Sequence, residues 1–258
     1  MPESENRLFD LTGKTALITG SGGGLGFAIA RGLGQAGATL VLNGRDEQKL
    51  DAAVRTLRSE GLSVSGYAFD ITDADALEPT VERIEREVGP IDVLVNNAGL
   101  QRRGPLETIS VDDWRAVIET NLTGAFLMAQ PVARRMIGRG RGKIINICSL
   151  MSEVGRPTIG PYTASKGGLK NLTKAMALEW GSHNLQCNGI GPGYFATEMT
   201  RSLKDDPDFN GWITGRTPQG RWGKPEELVG PAVFLASDAS SYVNGQVLYV
   251  DGGILSTL

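Results

Sequence analysis

Residues 15–26 read Thr-Ala-Leu-Ile-Thr-Gly-Ser-Gly-Gly-Gly-Leu-Gly, and this stretch decides the fold. Its first five residues form an apolar, β-branched run that predicts a strand, and the small residues of segment 25–37 predict the helix that follows. Glycines between a strand and a helix let the backbone approach a pyrophosphate and direct helix amides at it.

A P-loop is excluded because no Lys-Ser/Thr pair follows the glycines. We therefore expect a dinucleotide site rather than a purely structural turn. Its predicted contacts in this turn are Gly20, Ser21, Gly23, Gly24, Leu25 and Gly26.

The alternation of strand and helix patterns continues along the chain. Further strands are predicted at residues 38–42, 64–69, 91–95, 143–148, 185–190 and 246–250. Further helices are predicted at residues 46–60, 73–88 with Thr72 as its cap, 111–137, 162–182 and 225–237. Strands that alternate with helices form parallel sheets with helices on both faces. The sequence thus predicts an α/β, Rossmann-type, doubly wound sheet of seven parallel strands. Because the repeats share one core, we expect a single domain spanning residues 1–258.

Residues 194–223 interrupt this alternation with two prolines, several glycines and mixed charge. Irregular segments of this length in compact domains are usually functional. The aromatic residues Phe209, Trp212 and Trp222 favour a lid that folds over a ligand, and a flexible insertion is the alternative.

Composition and charge exclude several classes of function. Among 258 residues, 26 are Lys or Arg and 29 are Asp or Glu, so the net charge of -3 offers no basic surplus for nucleic acid. No window approaches the roughly 18 apolar residues of a membrane span. The single histidine, His183, excludes a histidine-rich metal site, and Cys148 and Cys187 stand apart in apolar runs, as thiols do in a reducing compartment. We expect a soluble, cytoplasmic protein with no metal, no membrane contact and no nucleic-acid partner.

The end of the second predicted strand reads Asn43-Gly44-Arg45. An acidic residue at this place, about 20 residues after the glycines, selects NAD by binding the ribose hydroxyls. Here no carboxylate repels a 2′-phosphate, and the Arg45 guanidinium can pair with one. The sequence therefore predicts NADP(H) in preference to NAD(H), with Asn43 and Arg45 among the contacts. A solvated Arg45 ahead of a helix is the alternative.

Further motifs follow in order along the chain. They are Asn96-Asn97-Ala98-Gly99, Asn121, Ser149, Tyr162-x-x-x-Lys166, Pro192-Gly193 and Asp251-Gly252-Gly253. Together with the glycine turn they cover essentially the whole chain, which resembles the short-chain dehydrogenase/reductase family.

This resemblance carries expectations for several residues. It implies that Asn121 holds a helix kink and a proton-relay water behind Lys166, and that the chain assembles as a homotetramer. The cofactor contacts expected with it are Asp70, Ile71, Asn97, Ala98, Gly99, Tyr162, Lys166, Pro192, Gly193 and Thr197.

The residues themselves indicate how such a chain can move a proton. Oxidation of a carbinol by hydride transfer needs a base for the hydroxyl proton. Tyrosine, with a pKa of about 10, serves as that base when a cation stabilises its phenolate. Tyr162 and Lys166 are four residues apart on one helical face, so the ammonium can do this. Ser149, at the carboxyl end of a strand, can hydrogen-bond the substrate oxygen. An amphipathic surface pair is the alternative for Tyr162 and Lys166.

Segments 101–103, 146–149, 193–199 and 221–223 resemble family members that interconvert D-gluconate and 5-keto-D-gluconate. Such a substrate carries a carboxylate that a guanidinium matches, so one of Arg102 and Arg103 is predicted to bind it. The full set of predicted substrate contacts is Arg102, Arg103, Ser149, Met151, Glu153 and Tyr162. Reduction of a 3-oxoacyl thioester is the alternative with the same catalytic residues. A non-catalytic dinucleotide sensor is the alternative from a different class.

Overall fold

The computed structural model describes residues 7–257 of the chain. Seven parallel strands form a sheet in the order β3-β2-β1-β4-β5-β6-β7. The strands are β1 Thr15–Ile18, β2 Thr39–Gly44, β3 Val64–Ala68, β4 Ile91–Asn96, β5 Gly142–Ile147, β6 Leu185–Pro192 and β7 Val247–Val250. The predicted Rossmann-type parallel sheet is confirmed, and every predicted strand is present.

Helices cover both faces of this sheet. On one face pack α1 Gly24–Gln35, α2 Glu47–Ser59 and α9 Val229–Ala236. On the other face pack α3 Ala74–Glu87, α5 Gly124–Arg139 and α6 Gly160–Trp180. The remaining helices of the described residues are α4 Val111–Ile118, α7 Arg201–Lys204 and α8 Pro207–Arg216.

Each central strand divides its side chains between two apolar cores. Ile18 of β1 packs with Leu33 in one core, whereas its neighbour Leu17 packs with Met128 in the other. Because both faces are covered, the central strands are apolar along their whole length rather than alternating with polar residues. This packing explains the unbroken apolar runs from which the sequence predicts strands.

The start of α3 differs from the prediction. Asp73, and not Thr72, caps this helix, since its carboxylate accepts from the backbone N–H of Ala76. The Thr72 hydroxyl instead donates to Asp70 at 2.8 Å. Both residues are good capping types, and the sequence alone did not separate them.

The helix predicted at residues 111–137 is interrupted. A π-helical turn, Glu119–Thr123, separates α4 from α5. The helix predicted at residues 225–237 also divides, with a 3-10 turn Pro225–Leu228 ahead of α9. Single π-helical turns inside helices often occur at functional sites.

The segment 194–223, predicted to be irregular, contains α7 and α8. Asp206 caps α8 by accepting from the backbone N–H of Asp208 and Phe209, and Pro207 occupies its first turn. Asp-Pro is a helix-start signal, but the glycines within α8 have low helix propensity, so the sequence did not predict this helix.

The strand order reverses beside β1, which pairs with β2 on one side and β4 on the other. Ligands of such open sheets bind at this reversal, outside the carboxyl ends of the strands. In the described part of the chain, no helix has the length and apolar character needed to span a membrane.

Candidate active site

The carboxyl ends of the strands open into a cleft of about 480 Å³ beside the reversal of strand order. Most residues predicted to bind a cofactor or to act in catalysis lie along its walls. They are Gly20, Gly23, Gly24, Leu25, Gly26, Asn43, Arg45, Asp70, Ile71, Asn97, Ala98, Gly99, Ser149, Tyr162, Lys166, Pro192, Gly193 and Thr197.

The glycine turn depends on contacts that a side chain would prevent. Gly20 has a φ of +61°, and a Cβ there would lie 2.8 Å from the Cα of Ala98. A Cβ on Gly26 would collide with the side-chain amide of Asn97. No side chain caps the first turn of α1, so its backbone N–H groups remain available at the floor of the cleft. Together with the helix dipole, they suit an anion such as a pyrophosphate.

Two residues predicted as cofactor contacts support this turn from behind. Ser21 is fully buried, and its hydroxyl donates to the carbonyl of Ile18 at 2.8 Å. The Asn43 side chain accepts from the N–H of Gly20 at 3.4 Å and donates to the carbonyl of Phe69 at 3.0 Å. The structure therefore corrects the prediction for Ser21, whose hydroxyl satisfies the backbone instead of facing the cleft. Asn43 borders the cleft, but its amide is engaged with the backbone.

A cationic end of the cleft lies beyond β2. The Arg45 side chain is 67% exposed, and its guanidinium lies 3.3 Å from the carboxylate of Asp70. Burial raises the pKa of Asp70, but hydrogen bonds from Thr72 and Arg45 outweigh this effect and hold the pKa below its usual value. Lys49 also lines this end of the cleft. Two cations thus adjoin the place where the adenosine ribose binds in such folds.

Ser149 and Tyr162 meet inside the cleft. The Ser149 oxygen accepts from the backbone N–H of Met151 at 3.2 Å, which leaves the hydroxyl hydrogen free to donate to the Tyr162 oxygen. Burial raises the pKa of Tyr162, and the hydrogen bond from Ser149 acts in the opposite direction. The phenol is therefore protonated near neutral pH and able to donate its proton to a ketone.

Lys166 lies one helical turn after Tyr162 and is only 4% exposed. Its ammonium donates to the carbonyl of Ile147 at 2.6 Å and lies 5.7 Å from the centroid of the Tyr162 ring. Burial lowers the pKa of Lys166 to about 8. At neutral pH the group is still charged, so it can stabilise a phenolate beside it.

Asn121 lies in the π-helical turn and is almost fully buried. Its side-chain oxygen accepts from the N–H of Leu100 at 2.8 Å, and its amide donates to the Ser165 hydroxyl at 3.1 Å. A π-helical turn lies where a helix kink is expected, and the Asn121 side chain links the loop after β4 to helix α6. The proton-relay water stays a prediction.

The two adjacent arginines after β4 have different surroundings. The guanidinium of Arg102 pairs with Asp113, with Nε 3.2 Å from the carboxylate oxygen. Burial and the nearby Arg156 guanidinium lower the pKa of Arg103, which also interacts with the Tyr194 phenol. The structure thus separates the pair: Arg102 forms an ion pair with α4, and Arg103 interacts with Arg156 and Tyr194.

Glu153 is engaged elsewhere. Its carboxylate accepts from the Lys170 ammonium at 2.5 Å and from the Tyr249 hydroxyl at 2.6 Å, and these bonds hold the pKa of Glu153 below its usual value. Both donors bond to the same carboxylate oxygen, Oε1, so the contact with substrate hydroxyls stays a prediction. Met151 is buried in a small apolar cluster against which Tyr162 packs, so it supports the catalytic ring.

The predicted lid is held together by aromatic contacts. The Tyr194 ring lies edge-on to Phe209 at 5.8 Å and to Trp222 at 5.5 Å, measured between ring centroids. The Trp222 indole donates to the Asn210 side chain at 2.7 Å. These contacts join the start, middle and end of the segment, which favours a packed cover over a flexible insertion.

Several residues along the cleft were missed from the sequence. They are Gly22, Gly44, Asp46, Lys49, Phe69, Leu100, Thr120, Ile147, Cys148, Phe195, Glu198, Met199 and Thr200. A signal existed for Lys49, because it follows Arg45 by four residues at the start of a predicted helix. Most of the others reach the cleft only through tertiary packing, which no local pattern reports.

Comparisons with known proteins agree with this arrangement. A family model described as enoyl-(acyl carrier protein) reductase matches residues 20–255. Gluconate 5-dehydrogenase from Gluconobacter oxydans is 57% identical over 251 residues, which cover 97% of this chain and 98% of the relative. A 2-dehydro-3-deoxy-D-gluconate 5-dehydrogenase from Formosa agariphila is 51% identical over 253 residues, which cover 97% of this chain and 96% of the relative.

A solved structure shows the same similarity in three dimensions. It is the crystal structure of a gluconate 5-dehydrogenase from Burkholderia cenocepacia in complex with NADP and tartrate. The TM-score is 0.95 at 51% identity, and the match covers 98% of this chain and 99% of that chain. The similarity therefore extends over the sheet, the cleft and the lid together.

Proposed function

Because this chain belongs to the short-chain dehydrogenase/reductase family, we propose that it is an NADP(H)-dependent oxidoreductase interconverting D-gluconate and 5-keto-D-gluconate. The observation that carries the proposal is the cluster of Ser149, Tyr162 and Lys166 in the cleft of a chain so similar to gluconate 5-dehydrogenases. The intact cluster argues against a non-catalytic dinucleotide sensor.

The cleft fits a nicotinamide dinucleotide at both of its ends. The free N–H groups in the first turn of α1 suit the pyrophosphate. Tyr162 and Lys166 lie at the end of the cleft where the hydride and the proton are transferred. When bound, the nicotinamide ring supplies the hydride acceptor or donor.

Tyr162 serves as the acid and base of this reaction. In the oxidising direction its oxygen takes the proton of the substrate C5 hydroxyl while the hydride leaves the same carbon, and the ketone forms. In the reducing direction the phenol returns that proton to the ketone oxygen. Ser149 donates its hydroxyl hydrogen to the substrate oxygen, on which negative charge develops.

Lys166 makes tyrosine usable near neutral pH. Its ammonium lies 5.7 Å from the centroid of the Tyr162 ring and, as a positive charge, favours the phenolate form, which burial by itself disfavours. The Ile147 carbonyl fixes the ammonium in place, so no reorganisation is needed when the phenolate forms. Asn121 acts as a positioning residue, since it fixes α6 through Ser165.

We propose a preference for NADP(H) over NAD(H) on the basis of the residues at the end of β2. Arg45 and Lys49 supply positive charge there, and Asp70 pairs with the Arg45 guanidinium. A 2′-phosphate placed against Arg45 gains charge-assisted hydrogen bonds that a ribose hydroxyl does not make.

We also propose a homotetramer, as the family resemblance implies. Exposed apolar side chains support it: Trp114 and Phe126 on α4 and α5, and Leu248 on edge strand β7. Two self-complementary surfaces generate a closed tetramer. Sedimentation equilibrium at micromolar concentration tests this assembly, and a monomer would contradict it.

The fold and the site are compatible with a single functional domain. We propose a single domain over residues 1–258 with residues 194–223 as its substrate lid, in keeping with the aromatic contacts across that segment. A cytoplasmic location is proposed as well, since the two cysteines are buried free thiols.

Initial rates with a substrate panel test the function directly. The panel contains D-gluconate, 2-dehydro-3-deoxy-D-gluconate, a neutral polyol and a 3-hydroxyacyl thioester, each with NADP+ and with NAD+. We expect D-gluconate with NADP+ to give the highest kcat/KM. A higher kcat/KM for the thioester would favour acyl reduction instead, and no turnover on any member would contradict the enzyme assignment.

A further inference from the structure

Tyr194, at the start of the lid, connects the catalytic tyrosine with two guanidinium groups. Its phenol interacts electrostatically with Tyr162 and also with Arg103 and Arg156. Arg156 lies on the loop between β5 and α6, the same loop that carries Ser149. Its guanidinium carbon lies 5.1 Å from the centroid of the Phe209 ring in α8. The three polar groups therefore gather where the lid meets the catalytic residues.

The two arginines lack acidic partners. Within residues 7–257, neither Arg103 nor Arg156 forms an ion pair with a carboxylate, whereas their neighbour Arg102 pairs with Asp113. The Nε atom of Arg156 is buried and has no hydrogen-bond acceptor in the described part of the chain. Two like charges in proximity are unfavourable, and a bound anion relieves their repulsion.

The backbone holds these two arginines in register. The N–H of Gly104, next to Arg103, donates to the carbonyl of Thr158 at 3.0 Å, so the two loops are joined directly. Thr158 adopts a φ of +69°, which is rare for a β-branched residue. Such strained conformations persist where the surrounding structure enforces them, often in ligand clamps. The loop of Arg156 is therefore anchored to the loop of Arg103 at Thr158.

We propose that Arg156, together with Arg103, binds the carboxylate of the substrate and determines specificity for sugar acids. This inference rests on the proposed function, because it assigns the acid group of the same substrate whose C5 faces Tyr162. A planar guanidinium matches a carboxylate with two parallel hydrogen bonds, and in the described residues neither of these guanidinium groups is paired with a carboxylate of the chain. The contact of Arg156 with Phe209 means that a bound carboxylate also steadies the lid.

A pair of ligands that differ only in charge tests this role. D-gluconate has the carboxylate, and D-gluconamide replaces it with a neutral amide of similar shape. Isothermal titration into the NADPH-loaded enzyme measures the Kd of each ligand without turnover, and NADP+ reduction measures kcat/KM. The variants are Arg156→Gln, Arg156→Lys and, as the matched control on the neighbouring loop, Arg102→Gln.

We expect Arg156→Gln to weaken gluconate binding roughly tenfold to hundredfold, the range for a hydrogen bond to a charged group, and to change gluconamide binding little. Arg156→Lys keeps the charge without the planar fork and should recover part of the loss. Arg102→Gln should leave both ligands unaffected, because its partner is Asp113. NADPH binding and gluconamide binding confirm that each variant is folded.

Failure of the carboxylate assignment can be distinguished from failure of the proposed function. If the wild type oxidises gluconate but Arg156→Gln loses gluconate and gluconamide equally, or loses neither, the carboxylate role is overturned while the proposed function stands. If the wild type neither binds nor oxidises gluconate, the proposed substrate is overturned and this assignment with it.

Discussion

The two ends of strand β5 each hold a buried lysine ammonium. At the amino end, Lys143 is 7% exposed and donates to the Ser240 hydroxyl at 3.2 Å. At the carboxyl end, Lys166 is 4% exposed and donates to the Ile147 carbonyl at 2.6 Å. Burial lowers the pKa of each lysine to about 8. In burial and in pKa the two groups are alike.

Their surroundings differ. Lys143 faces a second ammonium, Lys14, whose ion-pair partner is Asp238. Lys166 faces the Tyr162 ring and lines the cleft. A shifted pKa therefore reports burial at both ends, and it indicates chemistry only where a second proton-carrying group and an open cleft accompany it.

Tyr162→Phe should produce the largest effect, at the carboxyl end. The variant keeps the ring and removes the oxygen that transfers the proton, so kcat should fall roughly 100- to 10,000-fold. NADPH binding, measured by fluorescence titration, should persist because the cleft is unchanged. Retention of more than a few per cent of wild-type kcat would disprove the assignment of Tyr162.

Arg45→Ala should give the next largest effect. Loss of the guanidinium should weaken NADPH binding roughly tenfold to hundredfold and NADH binding little, because only NADPH carries the 2′-phosphate. Arg141→Ala is the matched control at the amino end: Arg141 is 66% exposed and pairs with Asp92 at 3.4 Å, much as Arg45 is 67% exposed and pairs with Asp70 at 3.3 Å. Equal losses for the two cofactors in Arg45→Ala would contradict the phosphate contact.

Lys143→Met should stabilise the protein at pH 7 by about 1–2 kcal/mol and leave kcat unchanged. The folded-state pKa of Lys143, about 8, lies below the value of about 10.4 for an unfolded lysine. Below pH 8 both states carry the proton, so the native state bears the full penalty of the buried charge. Methionine removes that penalty, at the loss of the Ser240 hydrogen bond.

The sign of the pH dependence follows from the same shift. Between pH 8 and about 10.4 the unfolded wild type binds more protons than the folded one, so its stability gains on the variant as the pH rises. Urea unfolding of both proteins at pH 7 and pH 10 should therefore show the advantage of Lys143→Met shrinking. A constant difference, or a variant less stable than wild type at pH 7, would mean that the ammonium is solvated.

Local sequence patterns predict one part of the site. The glycine turn lies between a strand and a helix that the sequence itself shows, and Tyr162 and Lys166 share one helical face by their spacing. The sheet follows from regular alternation of elements, because parallel strands require crossover helices.

Residues whose role depends on contacts between distant segments could not be predicted in this way. Arg156 interacts electrostatically with Arg103 from another loop, Ser21 turns its hydroxyl to the backbone, and Glu153 accepts a hydrogen bond from Tyr249 of β7. The burial of Lys143 is equally invisible in a sequence where lysine normally indicates a surface. Local patterns thus give the cofactor half of the site more completely than the substrate half.

The smallest effect should come from backbone strain, which also differs between the two ends. Thr158, on the loop after β5, has a φ of +69°, and Asn184, just before β6, has a φ of +60°. Asparagine tolerates this left-handed conformation, whereas a β-branched residue does not. Thr158→Asn should therefore stabilise the protein by about 1 kcal/mol, which raises Tm by about 2–4 °C for a chain of this size. The Gly104 hydrogen bond should survive, because it uses the backbone carbonyl of residue 158.

The reverse change at the amino end, Asn184→Thr, should lower Tm by at least as much, since it adds the strain and removes the side-chain bond to Gly140. Calorimetry on both variants checks the pair, and a Tm for Thr158→Asn at or below that of wild type would show that no strain is stored beside Arg156.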